Sequence, residues 1–380
     1  MIPSDDRSAA SRAGLNRPGR NTSDDRSAAS RAGLNRPGLN TSDDRSAALR
    51  GGLNRPGLNT SDDRSAASRG GLNRPGIILQ SWRDAPQLLR GATLALGNMD
   101  GVHLGHAAVL AAAHQARPDL PLGVLTFEPH PREHFRPDDP PFRLTLLPAK
   151  AAAIQALGAQ HVVALPFDAE LAAMTAEEFM EAILHRALGA KHLACGPDFA
   201  FGHRRGGDVG FLRQAAEARG IGLSIVPHVT DMEGTVSSTR VRRLLQDGYP
   251  ERAAVLLGRN FAIVGPVMHG DARGRTIGFP TANIPLGRHL EPARGVYAVR
   301  ATLPDGREVP GVANLGRRPT LGGDPVSRLE AHLFDFAEDL YGQELSVGLI
   351  SFIREERKFA DFRELTAQIA ADAAMARGLV

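Results

Sequence analysis

Two histidines lie three residues apart in a glycine-rich segment, Gly97-Asn98-Met99-Asp100-Gly101-Val102-His103-Leu104-Gly105-His106. At the start of a helix this spacing puts both imidazoles on one face, beside the positive helix end that favours phosphate. The two rings could donate hydrogen bonds to the charge that grows on a phosphate in a transition state. A His pair on a surface turn and a zinc site are the alternatives, but no HExxH spacing accompanies the pair.

Three further segments carry side chains that could contact phosphate or sugar. Prolines on both sides of His130 restrict its loop and aim the imidazole, although a rigid turn would give the same pattern. Asp198 follows an apolar run, where its carboxylate could meet a ribose, a substrate amide or a metal, or cap the next turn. Ser237–Thr239 offer hydroxyl and N–H groups, with Arg242 one turn later, which suits either phosphate binding or an ordinary helix N-cap.

The last third of the chain holds a second group of candidates. Glycines in the segment 270–278 permit backbone N–H groups to wrap a phosphate. Thr281 and Asn283 present oxygens two residues apart, which in extended chain lie on one face and suit Mg²⁺, although such a pair is more often turn chemistry. Glu330 is a charge inside an otherwise alternating strand, a pattern typical of an outward-facing residue.

Strands and helices alternate around the first group of candidates. Apolar runs predict strands at 92–97, 122–127, 161–167, 192–196 and 223–229. Helices are predicted at 104–116, 148–157, 175–188, 208–219 and 239–247, with a capping box at Thr175 and Glu178. This alternation predicts an α/β domain over 77–248 with a parallel sheet, which would bind ligands beyond the carboxyl ends of its strands.

The pattern changes after Gly258. A short linker helix is predicted within 249–259, and then β-type runs follow without a long helix between them. These runs cover 261–270, 295–303, 308–316, 328–334 and 344–353. They predict a mostly antiparallel β-barrel domain over 260–380, which ends in a C-terminal helix at 359–378.

Residues 1–76 form a tandem repeat with a period of 19, beginning at Ser4, Ser23, Ser42 and Ser61. The copies are nearly identical and poor in apolar residues, so we expect a disordered tail that the activity does not need. An extended reading frame, with the working protein beginning near Ile77, would explain the repeats. The alternatives are a flexible arm for an anionic partner and a transit peptide, which the paired aspartates disfavour.

Composition excludes several classes of protein. The 380 residues are 42% apolar and include one Cys, which excludes wholesale disorder and a disulfide scaffold and fits a reducing compartment. No apolar run approaches the ~20 residues of a membrane span, and no secretory signal is evident. Residues 1–76 carry a net +5 and the rest a net −2, so the folded part has no electrostatic reason to bind nucleic acid. We therefore expect a cytoplasmic protein that acts on small molecules; self-association stays open.

Taken together, these motifs resemble two known families in the right order. The segment 97–106 is similar to the signature of the HxGH nucleotidyltransferase superfamily in prokaryotic FAD synthetases, which usually have Phe where Met99 stands. The segments FEPHP (127–131), GPDFAFG (196–202) and VSSTRVR (236–242) match the same family. The segment 270–283, with its PTAN motif, closely resembles riboflavin kinases. The resemblance covers all of the chain after residue 76.

The resemblance implies a bifunctional enzyme with an Mg²⁺ requirement. The barrel would convert riboflavin and ATP to FMN, and the α/β domain would convert FMN and ATP to FAD and pyrophosphate. The resemblance implies catalytic roles for His103 and His106 in adenylyl transfer and for Glu330 as the general base of the kinase. It implies Thr281 and Asn283 as Mg²⁺ ligands. Implied ATP- or flavin-binding residues are Gly97, Asn98, Asp100, Gly105, His130, Asp198, Ser237, Ser238, Thr239, Arg242, Gly270, Gly274, Arg275, Thr281 and Asn283.

Two other functions fit parts of the pattern. The HxGH domain could transfer a nucleotide to another phosphate ester, with the barrel as a flavin sensor. Alternatively, the chain could be a flavin-binding protein without catalysis. The PTAN motif and Glu330 argue against a sensor, because a sensor needs neither metal ligands nor a base.

Overall fold

A computed structural model describes residues 77–83, 91–269, 279–320 and 323–380. The repeats of 1–76 and the candidate loop residues Gly270, Gly274 and Arg275 lie outside this part. The first half contains one sheet of six parallel strands in the order β1-β4-β3-β2-β5-β6. The strands are β1 (Ile77–Leu79), β2 (Thr93–Leu96), β3 (Leu122–Phe127), β4 (His161–Leu165), β5 (His192–Cys195) and β6 (Gly222–Ile225). The predicted parallel sheet is therefore confirmed.

Helices connect these strands. They are α1 (Leu104–Ala116), α2 (Pro131–Phe135), α3 (Leu147–Ala156), α4 (Ala169–Ala173), α5 (Ala176–Glu178), α6 (Val209–Glu217) and α7 (Ser238–Gln246). The predicted capping box starts α5, which continues as a π-helix over Phe179–Ala187. A small hairpin, β7 (Thr230–Asp231) with β8 (Gly234–Thr235), precedes α7. The short helices α2 and α4 were not predicted, because five residues are too few to show a helical period.

The sheet order places the histidine segment at a reversal point. From β2 the chain first adds β3 and β4 on one side, and later adds β5 and β6 on the other. In such sheets the crevice for ligands opens where the order reverses, at the carboxyl ends of the strands. The residues after β2 and after β5 therefore lie at the same edge of the sheet, beside this reversal point.

The second half is an antiparallel sheet that curls into a nearly closed barrel. Its strands are β9 (Phe261–Pro266), β10 (Ala282–Pro285), β11 (Gly295–Thr302), β12 (Glu308–Thr320), β13 (Gly323–Leu333) and β14 (Glu344–Glu355), in the order β10-β13-β12-β11-β14-β9. The two ends of this order meet where the Met268 N–H donates to the Asn283 carbonyl at 2.8 Å. The predicted antiparallel barrel is confirmed, with β10 as a strand that the sequence analysis did not identify.

Two helices complete the fold. Helix α8 (Pro250–Leu257) ends at Gly258, whose φ of 71° suits the residue that stops a helix. The C-terminal helix α9 (Phe362–Arg377) packs against the outside of the barrel. Buried residues of α7 and α8 join the same apolar core as β9 and the barrel interior. Within the described part of the chain, no helix combines the length and apolarity needed to cross a bilayer.

Candidate functional site

His103 and His106 cap the N-terminus of α1 for each other. The His103 N–H donates to His106 Nδ1 at 3.3 Å, and the His106 N–H donates to His103 Nδ1 at 3.4 Å. The two rings stack with their centroids 3.7 Å apart. Because both Nδ1 atoms accept, each neutral ring carries its proton on Nε2. The pair thus offers two N–H donors beside the positive end of a helix.

Both imidazoles are neutral at physiological pH. Burial lowers the pKa of His103 to about 4, although Asp100 opposes the shift. Burial, His103 and Lys150 together hold the pKa of His106 well below its ordinary value. The two side chains can therefore serve as neutral hydrogen-bond donors, a property that suits an oxygen that gains charge during a reaction.

The turn that leads to His103 is strained and needs glycine at two points. Gly101 and Val102 have φ values of 86° and 45°, the second unusual for a β-branched residue. A side chain at Gly101 would also come within 2.7 Å of Leu144. A side chain at Gly105 would lie 3.0 Å from His103 Nδ1, so glycine there leaves room for the imidazole stack.

Asp100 and Arg242, both expected at a ligand, contact each other. Asp100 is 2% exposed and accepts the N–H groups of Leu144 and Thr145, each at 3.0 Å. Its second oxygen meets Arg242 Nη2, and Arg242 Nε donates to the Phe142 carbonyl at 2.9 Å. The Asp100 carboxylate therefore fixes the turn from within, and its ligand contact remains a prediction.

A buried cluster of charged side chains packs beside the same turn. Arg143 and Lys150 are fully buried. Arg143 contacts Glu128 at 2.7 Å and Glu133 at 2.8 Å, and Lys150 contacts Glu128 at 3.2 Å. Lys150 also donates to the Phe127 carbonyl at 3.2 Å, and burial and Arg143 lower its pKa. The sequence analysis missed both cations, because one charge in an apolar pattern gives no local signal.

Gly97 and Asn98 directly follow β2 and contact the neighbouring strand β3. The Gly97 N–H donates to the Leu125 carbonyl at 3.2 Å. Asn98 is exposed, and its carbonyl accepts from Thr126 Oγ1 at 2.8 Å. Main-chain bonds thus fix this part of the loop, and the Asn98 side chain faces the solvent side.

The N-terminus of α7 adjoins the N-terminus of α1. Ser237 caps α7 through the Arg240 N–H, and Ser238 Oγ donates to the Asp100 carbonyl at 2.8 Å. Thr239 is exposed at the first turn. A side chain at Gly105 would come within 3.4 Å of the Val236 carbonyl. The fold therefore brings the serine–threonine motif to the histidine pair, and two positive helix ends share one crevice.

His130 and Asp198 border the same edge of the sheet. His130 caps α2, accepting the Arg132 N–H at Nδ1, and its ring contacts Phe142 edge-on with centroids 5.1 Å apart. Burial lowers the pKa of His130 to about 4. Asp198 is exposed beyond β5 and pairs with His228 at 3.0 Å. His130 is thus a neutral ring with its proton on Nε2, and Asp198 is the more accessible of the two.

An exposed aromatic surface lies next to this edge. Phe135 at the end of α2 is 64% exposed and packs against Phe167 with centroids 5.6 Å apart. His134 contacts both rings. A planar apolar ligand could stack here within reach of the crevice.

In the barrel, strand register brings the distant candidates together. Asn283 on β10 pairs with Glu330 on β13, and Glu330 pairs on its other side with Asn314 on β12. Directly opposed residues share a face of a sheet, so these three side chains form a row across neighbouring strands. Thr281 lies just before β10, two residues from Asn283, and lines a neighbouring cavity. Asn314, which the sequence analysis did not single out, is thus a further candidate that only the register reveals.

The donor set at Asn283 fits a hard cation. Asn283 is 6% exposed, and its Nδ2 donates to the Thr281 carbonyl at 3.3 Å. Among the described residues, its buried Oδ1 has no hydrogen-bond partner. A buried oxygen in that state is costly unless a ligand uses it. Side-chain oxygens of Asn and Thr are ligands that Mg²⁺ accepts.

A cavity of about 470 Å³ opens next to Thr281, which is one of its lining residues. Its lining is largely apolar and comprises Val267, Pro280, Thr281, Ala282, Ala331, Leu333, Phe336, Ala337, Glu338, Asp339, Leu340 and Tyr341. Its size and lining suit a nucleobase. The described residues therefore form two candidate ligand sites, one at the sheet edge and one in the barrel.

Models of two protein families match consecutive parts of this chain. The model for FAD synthetase matches residues 85–240. The model for riboflavin kinase matches residues 257–380. The first match contains the histidine pair and the serine–threonine motif, and the second contains the row of Asn283, Glu330 and Asn314.

Curated relatives match along most of their length. A bifunctional riboflavin kinase/FMN adenylyltransferase of Escherichia coli (strain K12) is 44% identical over 77% of this chain and 93% of its own length. One from Bacillus subtilis (strain 168) is 37% identical over 74% and 90% of the two chains. A crystal structure described as a macrolide-efflux protein from Streptococcus pneumoniae superposes with a TM-score of 0.71 at 31% identity, covering 81% of this chain and all of the other.

Proposed function

Because this chain belongs to the family of bifunctional riboflavin kinases/FMN adenylyltransferases, we propose that each of its two domains performs one of the two reactions. The chain phosphorylates riboflavin and adenylylates FMN, using ATP in both steps. We assign adenylyl transfer to 77–248 and phosphorylation to 260–380, with 249–259 between them. The positions of the two family matches support this division. We further propose that the enzyme works in the cytoplasm on small molecules.

In adenylyl transfer, an oxygen of the FMN phosphate attacks the α-phosphorus of ATP and pyrophosphate leaves. His103 and His106 would each donate a hydrogen bond from Nε2 to the α-phosphate as negative charge grows on it. The observation that carries this role is the reciprocal Nδ1 capping, which fixes both tautomers before substrate arrives. Since burial keeps both rings neutral, neither needs to lose a proton first.

The two helix ends would hold the rest of the nucleotide. The N–H groups at the start of α7 and the exposed Thr239 hydroxyl would bind the triphosphate oxygens. Arg242 would keep Nη1 for phosphate, since Nε and Nη2 already bind Phe142 and Asp100. The flavin ring would stack on Phe135 and Phe167, with Asp198 beyond the neighbouring strand.

In the kinase reaction, the 5′-hydroxyl of riboflavin attacks the γ-phosphorus of ATP and ADP leaves. Glu330 would accept the proton of that hydroxyl as general base. The adenine would occupy the 470 Å³ cavity beside Thr281, which puts the phosphates near the row of polar side chains. Asn314, opposite Glu330, would orient either the carboxylate or the attacking hydroxyl.

Thr281 and Asn283 would hold Mg²⁺ in the kinase site. When bound, the ion would neutralise phosphate charge and align the γ-phosphoryl group for in-line transfer. The buried Asn283 Oδ1 is the structural reason for this assignment. We expect riboflavin and ATP to yield FMN and FAD with Mg²⁺, and neither product with a chelator present, as followed by chromatography.

A variant separates this role from the metal that ATP itself carries. Asn283→Ala should raise the Mg²⁺ concentration needed for half-maximal FMN formation, because one ligand is lost, while the requirement for FAD formation from FMN stays unchanged. Flavin products without a divalent cation would contradict the Mg²⁺ requirement. An unchanged Mg²⁺ dependence in Asn283→Ala would contradict the ligand assignment.

We propose that the tandem repeats of 1–76 are dispensable for both reactions. None of the residues assigned above lies before residue 97, and the family matches begin at residue 85. A chain that begins at Ile77 should therefore keep both rates within about twofold of the full chain. The measurement is the rate of FMN and of FAD formation by each form; a large loss of either rate would show that the repeats contribute.

A further inference from the structure

We propose that Arg259, which lies between α8 and β9, is a positioning residue for adenylyl transfer. It would hold the turn before the catalytic histidines from the side of the kinase domain. This inference rests on the roles proposed above for His103 and His106. Together with contacts from the barrel, it makes the second half of the chain a structural part of the adenylyltransferase site.

The Arg259 guanidinium hydrogen-bonds to the two consecutive residues of the turn, Gly101 and Val102, that have positive φ values. Nη1 donates to the Val102 carbonyl at 3.0 Å, and Nη2 donates to the Gly101 carbonyl at 2.8 Å. Both residues have positive φ values and directly precede His103. Strained conformations persist only where the surroundings overdetermine them. A rigid planar fork that binds two consecutive carbonyls provides that constraint, and the single ammonium of lysine lacks its geometry.

A second set of contacts connects the barrel to the turn through Asp100. The Leu144 N–H donates to Asp100, and the preceding Arg143 carbonyl accepts the Leu290 N–H at 2.8 Å. Arg288, two residues before Leu290, pairs with Glu133 of the buried ion cluster at 2.6 Å. The turn is thus held from two directions by residues of the second half of the chain.

Apolar packing makes this connection stiff. Leu257 of α8 lies in the core that also contains the barrel interior, and it would contact any side chain at Gly101 at 3.4 Å. Val241 and Leu244 of α7 belong to the same core. Packed interiors transmit displacement instead of absorbing it. A shift of Arg259 would therefore be felt at His103.

The charge of Arg259 acts on the same histidines. Burial is the main cause of the low pKa of both rings, and Arg259 lowers it further, as Arg242 does for His103 and Lys150 does for His106. Asp100 faces His103 with the opposite effect. Removing the Arg259 charge would therefore raise both pKa values. As the pH falls, the two rings would then become protonated, and lose their neutral form, at a higher pH than in the parent. Because burial also lowers these pKa values, Arg259→Lys, which keeps the charge, is needed to separate the effect of the charge from a loss of burial.

Two variants separate the fork from the charge. Arg259→Gln loses both, and Arg259→Lys keeps the charge without the fork. For FAD formation from supplied FMN, we expect Arg259→Gln to lower kcat about tenfold to a hundredfold, with KM for FMN within about twofold. The acid limb of the pH profile of FAD formation by Arg259→Gln should move to higher pH. Arg259→Lys should show an intermediate kcat and an unmoved limb. FMN formation by the same samples should stay unchanged and reports an intact fold.

Arg252→Gln is the matched control. Arg252 lies on α8, pairs with the exposed Glu233, and should leave both activities unchanged. Adenylyl transfer by Arg259→Gln within about twofold of the parent, or an equal loss of both activities, would overturn the inference. His106→Asn, measured in parallel, distinguishes failure of the role proposed for the histidine pair from failure of the role proposed for Arg259. If it abolishes FAD formation while Arg259→Gln does not, only the role of Arg259 is wrong.

Discussion

Replacement of His106 by asparagine should lower FAD formation from FMN by about 100- to 1,000-fold, the usual loss when one transition-state donor is removed. Asparagine can still accept the His103 N–H in place of Nδ1, but it has no group where Nε2 stands. The cap of α1 would therefore survive while the donor disappears. FMN formation from riboflavin should continue at its normal rate, since the barrel does not contain this residue. Both rates are measured separately on one preparation, with FMN supplied for the first.

Two further variants make this result specific. His106→Gln can place an N–H near the position of Nε2 but loses the acceptor, so we expect partial activity. His114→Asn changes an exposed histidine at the other end of α1 and should change nothing. If His106→Asn forms FAD at the parental rate, the imidazole pair does not stabilise the transition state. If both reactions fail together, the two domains do not divide the chemistry as proposed.

Replacement of Glu330 by glutamine should abolish FMN formation and leave FAD formation from supplied FMN intact. Glutamine has nearly the shape of glutamate but cannot accept a proton, and loss of a general base costs about 100- to 10,000-fold. The side chain lies between Asn283 and Asn314 in the strand register, so its replacement by an amide should keep the row in place. The expected profile is the mirror image of that for His106→Asn.

Glu344→Gln is the control for this variant, because it removes an exposed carboxylate at the start of β14 in the same sheet. It should leave FMN formation unchanged. Persistent FMN formation by Glu330→Gln would show that another group takes the proton. A fall of FAD formation to the same extent would instead indicate damage to the whole chain, which thermal unfolding of the two variants would reveal.

Much of the architecture follows from local sequence. The fully buried β2 and β3 appear as apolar runs, and α1 begins at Leu104, within the histidine segment, as predicted. The alternation of strands and helices gave the parallel sheet, and the β-type runs gave the antiparallel barrel. The segments missed, such as α2 and β10, are four or five residues long, and their pairing or packing partners are distant in the chain.

The sequence alone identified most of the candidate residues and the elements beside which they lie, because glycines, caps and periodicity act over a few residues. Only the tertiary structure decided how those residues are used. It paired Asp100 with Arg242, buried Lys150 beneath the turn, set Asn314 beside Glu330, and brought Arg259 to Gly101 across 158 positions of chain. Such contacts depend on strand register and on the docking of one domain against the other. Neither leaves a local pattern, since a single arginine in a linker looks the same whether it faces water or holds a catalytic loop.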